Sequence, residues 1–413
     1  MRGILIPAAC LLAATAAAWC QSETRASHLA EENAAPELLS QPRPKAASGW
    51  DAKAAAAYLD QRAGWWMAWP KGARDHETFC ISCHTAVPYA MSRPALRRAL
   101  GEQALSPNER RLLDNVTKRV RLWNEVAPFY SDADRGVYKT VESRGTESVL
   151  NALILASHDA QSGHLSDDTR AAFANMWAEQ QTSGEQQGAW RWLRFKNEPW
   201  EADDSDFYGA ALAAIATGTA PGNYRLRPEI QPNLQALRDY LHRQAASEPL
   251  MNRVVLLWAS AKVPGLLDAA EQRAILTKVF AKQQADGGWS LPALAGDWKR
   301  HDDTPQDAQS DGYATGLIVF AMQEIAFAKD IPQPKSAQSR DNEVRDILAR
   351  DLDMSSHLKP ALNWLATHQN PSTGFWPSAS LNKNEANHIS PETARFMNDA
   401  ATAYAVLALS ETK

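Results

Sequence analysis

Cysteine is scarce in this sequence: four in 413 residues, at positions 10, 20, 80 and 83. So few exclude a disulfide framework. Long apolar runs are missing too, and none approaches the roughly 20 residues that a membrane span requires. No basic cluster stands out in a chain of net charge −5, which excludes the electrostatic footprint of a nucleic-acid binder. Period-2 alternation of apolar and polar residues is rare, so a sheet-rich fold is not expected. What is present is 45% hydrophobic and 22% charged residues, the proportions of a soluble globular protein. The length allows one large domain or two ordinary ones.

The first residues have the form of an export signal. Arg2 supplies a positive start, residues 4–18 an apolar stretch, and Ala16-Ala17-Ala18 a small-residue cleavage site. Residues 1–20 are therefore expected to be a signal peptide, and the mature protein to be periplasmic or secreted. Cys20 opens an alternative, a lipid-modified cysteine tethering the protein to a membrane. Against it stands the bulky Trp19, where a lipoprotein signal wants a small residue. Residues 21–49 are rich in Ala, Glu, Pro and Ser without periodicity and read as a flexible tether. The mature chain then keeps only Cys80 and Cys83.

In Cys80-Ile81-Ser82-Cys83-His84 two thiols stand three residues apart and a histidine follows directly. Thiols one helical turn apart reach the two vinyl groups of a haem and form thioethers, and the adjacent imidazole falls under the iron as proximal ligand. A zinc site needs two further Cys or His at ligand spacing; His76 is near, but no other cysteine remains. A redox dithiol belongs in a thioredoxin-like βαβ pattern, which does not surround this pair. One motif implies one covalent haem c, attached through Cys80 and Cys83 and ligated by His84. The sixth iron position has no local motif. Met67, Met91, Met176, Met251, Met322, Met354 and Met397 are candidates, as are His76, His301 and His388. Any single methionine is more often core filling.

A Gln…Gly-x-Trp pattern recurs four times: Gln61…Gly64-Trp65-Trp66, Gln181…Gly188-Ala189-Trp190, Gln284…Gly287-Gly288-Trp289 and Gln369…Gly374-Phe375-Trp376. The Gly is expected to end a helix in a left-handed conformation. The Trp offers a large face for the next repeat, with its ring N–H free to find a partner. A polar loop and an apolar helix follow each Trp. Asp206, Asp311 and Asp399 open three of these helices, and His84 takes the corresponding place in the first. Residues 147–156, opening at Glu147, and 252–261 are two more of the same type. Amphipathic stretches at 52–59, 107–123, 167–180, 232–243, 268–283 and 342–367 alternate with them, spaced for helices packed on one face. Six buried and six half-exposed helices predict an all-α (α/α)6 toroid over residues 50–413, with the haem motif at the start of its first inner helix.

These repeats, with acid-opened apolar helices behind them, resemble the squalene-hopene cyclase and prenyltransferase repeat superfamily over most of the mature chain. The resemblance implies an α/α toroid whose central apolar cavity is rimmed by inner-helix N-termini, and with it an apolar, isoprenoid-like small molecule. The family chemistry carries over poorly. Class II cyclases protonate an alkene with an Asp-x-Asp-Asp run, which neither Asp203-Asp204-Ser205-Asp206 nor Asp302-Asp303-Thr304-Pro305 matches in order and position. Asp206, Asp311, Asp399 and Glu147 are instead expected as helix caps, each contributing about 0.5–2 kcal/mol. Protein prenyltransferases need an Asp/Cys/His zinc site, and both mature cysteines are committed to haem.

The expected function is electron transfer by an exported single-haem cytochrome to a redox partner protein in the periplasm. The alternatives are a haem-dependent oxidoreductase acting on an apolar molecule in the cavity, or a cyclase-like enzyme. An open sixth position favours oxidation chemistry, a firm Met or His ligand favours electron transfer. If the ring closes, His84 and Asp399 open neighbouring helices, which places Met397 near the haem as sixth ligand, with His388 as runner-up.

Overall fold

A computed structural model describes residues 49–126, 129, 136–328 and 353–410. The expected signal peptide, Cys20, the tether up to residue 48 and residues 342–352 lie outside the described residues. The fold is all-α. Twelve helices of 12 residues or more are described: α1 (Ala52–Ala68), α2 (Ala86–Ala99), α3 (Pro107–Arg121), α4 (Gly136–Asp159), α5 (Asp167–Ala178), α6 (Asp206–Thr219), α7 (Gln231–Gln244), α8 (Leu250–Lys262), α9 (Ala269–Phe280), α10 (Gly312–Phe327), α11 (Met354–Thr367) and α12 (Phe396–Ser410). Strand pairing is slight: Ala73–Arg74 runs antiparallel to Thr78–Phe79.

Two kinds of helix alternate along the chain, and composition separates them. The even-numbered helices are built from small and apolar residues; α6 is buried all round from Asp206 to Thr217. The odd-numbered helices bury one face, and α1, α3, α5 and α9 begin at a side-chain cap. Ser106 with Glu109 and Asp268 with Glu271 form capping boxes at α3 and α9, and the Asp51 side chain accepts from Ala54 N at α1. Neighbour follows neighbour among the even helices: α2 packs on α4, α4 on α6, α6 on α8, α8 on α10, α10 on α12, and α12 on α2. Of the odd helices, α1 lies on α2 and α12, α3 on α2 and α4, and α11 on α10 and α12.

The repeated turns explain why successive helices stay in register. Gly188, Gly287 and Gly374 have φ of +98°, +95° and +81°, the left-handed region that glycine enters freely. At Gly374 a Cβ would also stand 2.4 Å from the Ala54 backbone of α1. Between four and eight residues before the turn glycine, a glutamine amide donates twice. Gln180 bonds the Gly188 and Asn233 carbonyls, Gln283 those of Gly287 and His357, and Gln369 those of Gly374 and Asp51. Each clamp thus ties its own turn to the start of the next odd helix. The tryptophans Trp190, Trp289 and Trp376 are fully buried. Their Nε1–H groups donate to the carbonyls of Met176, Val279 and Leu365, at 2.6, 2.8 and 2.7 Å. Burying such a ring contributes about 4–6 kcal/mol of transfer free energy.

Three expectations are corrected here. The clamping glutamines are Gln180 and Gln283, one residue before Gln181 and Gln284. Gly64 does not end a helix: α1 runs through it to Ala68. Glu147 does not open a helix but lies in the middle of α4, where Arg119 grips it with both nitrogens of one edge.

Candidate functional site

The turn that follows α1 carries the Cys-x-x-Cys-His segment, and the chain fixes it from several sides. The short hairpin leads into Cys80. Asn115 of α3 pins Phe79 at both backbone groups, accepting from its N–H at 2.9 Å and donating to its carbonyl at 3.0 Å. Trp66 Nε1 donates to the Cys80 carbonyl at 2.8 Å. Arg119, paired with Glu147, donates to the Thr78 hydroxyl at 2.6 Å. Ser82, inside the motif, accepts from Thr85 N and Ala86 N at 3.3 and 3.0 Å and starts α2 as a cap does. The two cysteines therefore stand on a loop and a turn ahead of α2, not on a helical turn.

Both thiols are buried and neither is bridged. Burial pushes both upward in pKa, Cys83 strongly, so neither is a ready thiolate. Among the described residues no group of three or more His, Cys, Asp or Glu side chains is placed to hold a metal ion. Cys80, Cys83 and His84 thus do not converge as a zinc site does.

His84 is enclosed by aromatic rings. Phe396 of α12 stacks on it at 3.7 Å between centroids, Trp66 meets it edge-on at 4.9 Å and Trp200 lies at 5.6 Å. Burial, aided by the Arg62 guanidinium, lowers its pKa to about 3, so the imidazole is neutral at ordinary pH. Its Nδ1 is 2.9 Å from Thr85 Oγ1, and Thr85 donates to Asp399 Oδ2 at 2.7 Å. Asp399 was expected to cap α12; it sits in the first turn instead and gathers side chains of α1 and of the turn before α2. Tyr58 and Arg62 Nε donate to Oδ1 at 2.9 and 2.7 Å, Arg62 Nη2 to Oδ2 at 3.0 Å. Burial pushes this carboxyl up, and the Arg62 guanidinium opposes it.

The ring-closure argument brings α12 to α2, but Phe396 is the side chain against His84. Met397 is buried in the same turn. It lines a cavity of about 10 Å³, room for a single water, together with His388, Phe396 and Trp200. His388 Nε2 is buried there without a hydrogen-bond partner. Both candidate sixth ligands thus share one small cavity beside the rings that enclose His84. Composition gave no warning of Phe396 or Trp200; Thr85, next to the motif, was the available clue.

The remaining acids behave as structural groups. Asp311 caps α10, accepting from Tyr313 N and Ala314 N at 2.9 and 3.0 Å, from Ser378 at 3.0 Å and from Leu291 N. Its pKa is nevertheless pushed up to about 6, because burial outweighs the hydrogen bonds it accepts. It borders a cleft of about 560 Å³ whose wall includes Arg300, Asp307, Lys383 and Glu385. Asp302 ties a loop, accepting from Thr304, Asn384 and Asn387, and those bonds hold its carboxyl below the usual range. Asp206, expected as a cap, lies inside the first turn of α6 without a capping hydrogen bond there and pairs with Arg194 at 2.9 Å. Where α6, α10 and α12 meet, the space is filled by Tyr208, Tyr313 and Tyr404, all buried; the Tyr313 and Tyr404 rings meet at 5.3 Å.

No protein-family model matches the chain, and no curated protein matches it either. The chemistry of the donor set fits a covalently held haem: two unbridged thiols three residues apart and a neutral imidazole beside them. The space around them is occupied by Phe396, Trp66 and Trp200, so these rings must part to admit a macrocycle.

Proposed function

We propose that this protein is an exported single-haem c-type cytochrome that transfers electrons to a redox partner protein in the periplasm. Cys80 and Cys83 hold the haem through thioethers and His84 ligates its iron. The observation that carries the reading is the donor set itself: two unbridged thiols three residues apart, followed directly by an imidazole whose Nδ1 lies 2.9 Å from Thr85 Oγ1. When bound, the haem supplies a one-electron couple. Trp66, Trp200 and Phe396 exclude water from the imidazole and would have to move aside to receive the haem. Met397 is the proposed sixth ligand and His388 the alternative, both lining the adjoining cavity.

The closed succession of even helices and the odd helices packed outside them support an (α/α)6 toroid of the squalene-hopene cyclase and prenyltransferase type. A chamber for an apolar, isoprenoid-like molecule has less support, since tyrosines fill the meeting point of α6, α10 and α12. An acid-initiated cyclase has less still, because both oxygens of Asp311 are engaged by hydrogen-bond donors.

Protein produced with a cytochrome c maturation system is expected to be coloured and to keep its haem through denaturing electrophoresis. Cys80→Ala should lose most or all of that staining. A colourless wild type, or one holding stoichiometric zinc, overturns the proposal. For the sixth ligand, Met397→Ala should abolish the sulfur-to-iron charge-transfer band and admit external ligands; a wild type without that band excludes Met397.

A further inference from the structure

The cleft of about 560 Å³ opens where the loop ahead of α10 faces the loop ahead of α12. Its size falls within the roughly 300–1,000 Å³ of small-molecule sites. Four charged side chains line it: Arg300, Asp307, Lys383 and Glu385. Arg300 spends its bonds on the carbonyls of Ser380, at 3.0 Å, and Pro305, while Asp307 accepts from the Gln309 N–H at 3.0 Å. None of the four is ion-paired among the described residues, although both signs share one cleft. The signs are also interleaved. Lys383 and Glu385 stand two residues apart, and Arg300 reaches the Pro305 carbonyl two residues before Asp307.

That pattern selects among ligands. A simple ion gains from one sign and loses by the other. A zwitterion needs the signs gathered at opposite ends. An apolar molecule would desolvate all four groups without pairing them. A hydroxyl both donates and accepts, so a molecule rich in hydroxyls satisfies carboxylate and cation side by side. Phe375 and Pro377, in the same wall, supply apolar surface for the C–H face of a sugar ring. We propose that this cleft binds a short neutral oligosaccharide, independently of the haem reading above. Asp311 borders the cleft too, but its oxygens accept from Tyr313 N, Ala314 N, Leu291 N and Ser378. It therefore offers no proton to a glycosidic oxygen, and the site binds its sugar without that acid cleaving it.

The test is calorimetric titration of the full chain with maltotriose, cellotriose and triacetylchitotriose at millimolar concentration. At least one is expected to bind; binding of none overturns the proposal. Lys383→Met and Glu385→Gln break no side-chain hydrogen bond among the described residues, and each should weaken binding about tenfold. Ala379→Trp, which fills the cleft from its wall, should abolish binding and leave the unfolding midpoint near that of the wild type. If the tryptophan variant does not fold, the two charge variants decide. Wild-type affinity in the folded variants puts the sugar elsewhere and overturns the assignment. Dialanine and citrate serve as zwitterionic and anionic probes. Tighter binding of either than of every trisaccharide overturns the choice of a neutral ligand.

Discussion

Three of the four Gln…Gly-x-Trp repeats close alike, and the first does not. In the later three, a left-handed glycine ends the turn, a glutamine clamps it to the next odd helix, and a buried tryptophan caps the preceding one with its ring N–H. In the first, α1 continues through Gly64, and Trp66 donates to the Cys80 carbonyl instead of to its own helix. At the start of α10 an aspartate caps its own helix; at the start of α2, Ser82 caps and Thr85 reaches across to Asp399 of α12. The repeat that departs from the common turn is the one that carries the Cys-x-x-Cys-His segment. Packing alone is satisfied by the shared pattern, so the departure marks where a second demand was placed on the same scaffold.

The sharpest way to break this comparison is to add one methyl group at matching glycines. Gly374→Ala meets both a positive φ and a Cβ 2.4 Å from the Ala54 backbone. Strain and overpacking together are expected to cost about 4 kcal/mol. Gly64→Ala sits inside α1 with nothing nearer than 3.6 Å, and should gain about 0.5–1 kcal/mol. Denaturant midpoints of the two variants read the contrast; equal losses would show that Gly64 is a turn glycine after all.

A smaller effect is expected at Asp311. Asp311 has a pKa of about 6 when folded, above the ordinary 3.8, so the folded state favours its protonated form. That contribution is complete below about pH 3.8 and is lost as pH rises through about 6. It amounts to about 3 kcal/mol, at about 1.4 kcal/mol per pH unit. The stability of wild type relative to Asp311→Asn should fall across this window and stay level above it. A flat difference would mean that the four donors, not burial, govern this carboxyl.

Smallest is Trp289→Phe, which keeps an aromatic ring and removes one of two donors to the Val279 carbonyl, Lys282 N–H remaining at 3.0 Å. A loss of about 1 kcal/mol is expected from thermal or denaturant unfolding. Trp190→Phe and Trp376→Phe should match it if the three turns are equivalent.

Much of this was legible beforehand because it depends on local chemistry. The alternation of small apolar helices with amphipathic ones, the left-handed glycines at 188, 287 and 374, and the buried tryptophans after them follow from side-chain size and backbone freedom. The glutamine was misplaced by one residue in two repeats, since a run of two glutamines offers no local reason to choose. Glu147 and Asp399 were read as caps because an acid near a helix start usually caps it. Their real partners, Arg119, Arg62, Tyr58 and Thr85, come from other elements, and Asp399 is separated from Thr85 by 314 residues.

The sequence by itself determined an all-α chain with a repeated turn and a single thiol pair beside a histidine, since helix periodicity, glycine freedom and cysteine count are properties of short stretches. Only the tertiary structure decided what surrounds that histidine. Packing α12 against α2 brings Phe396 onto the ring and Asp399 behind Thr85. Which side chains meet there depends on how the last helix returns to the first, a long-range arrangement that no local spacing encodes.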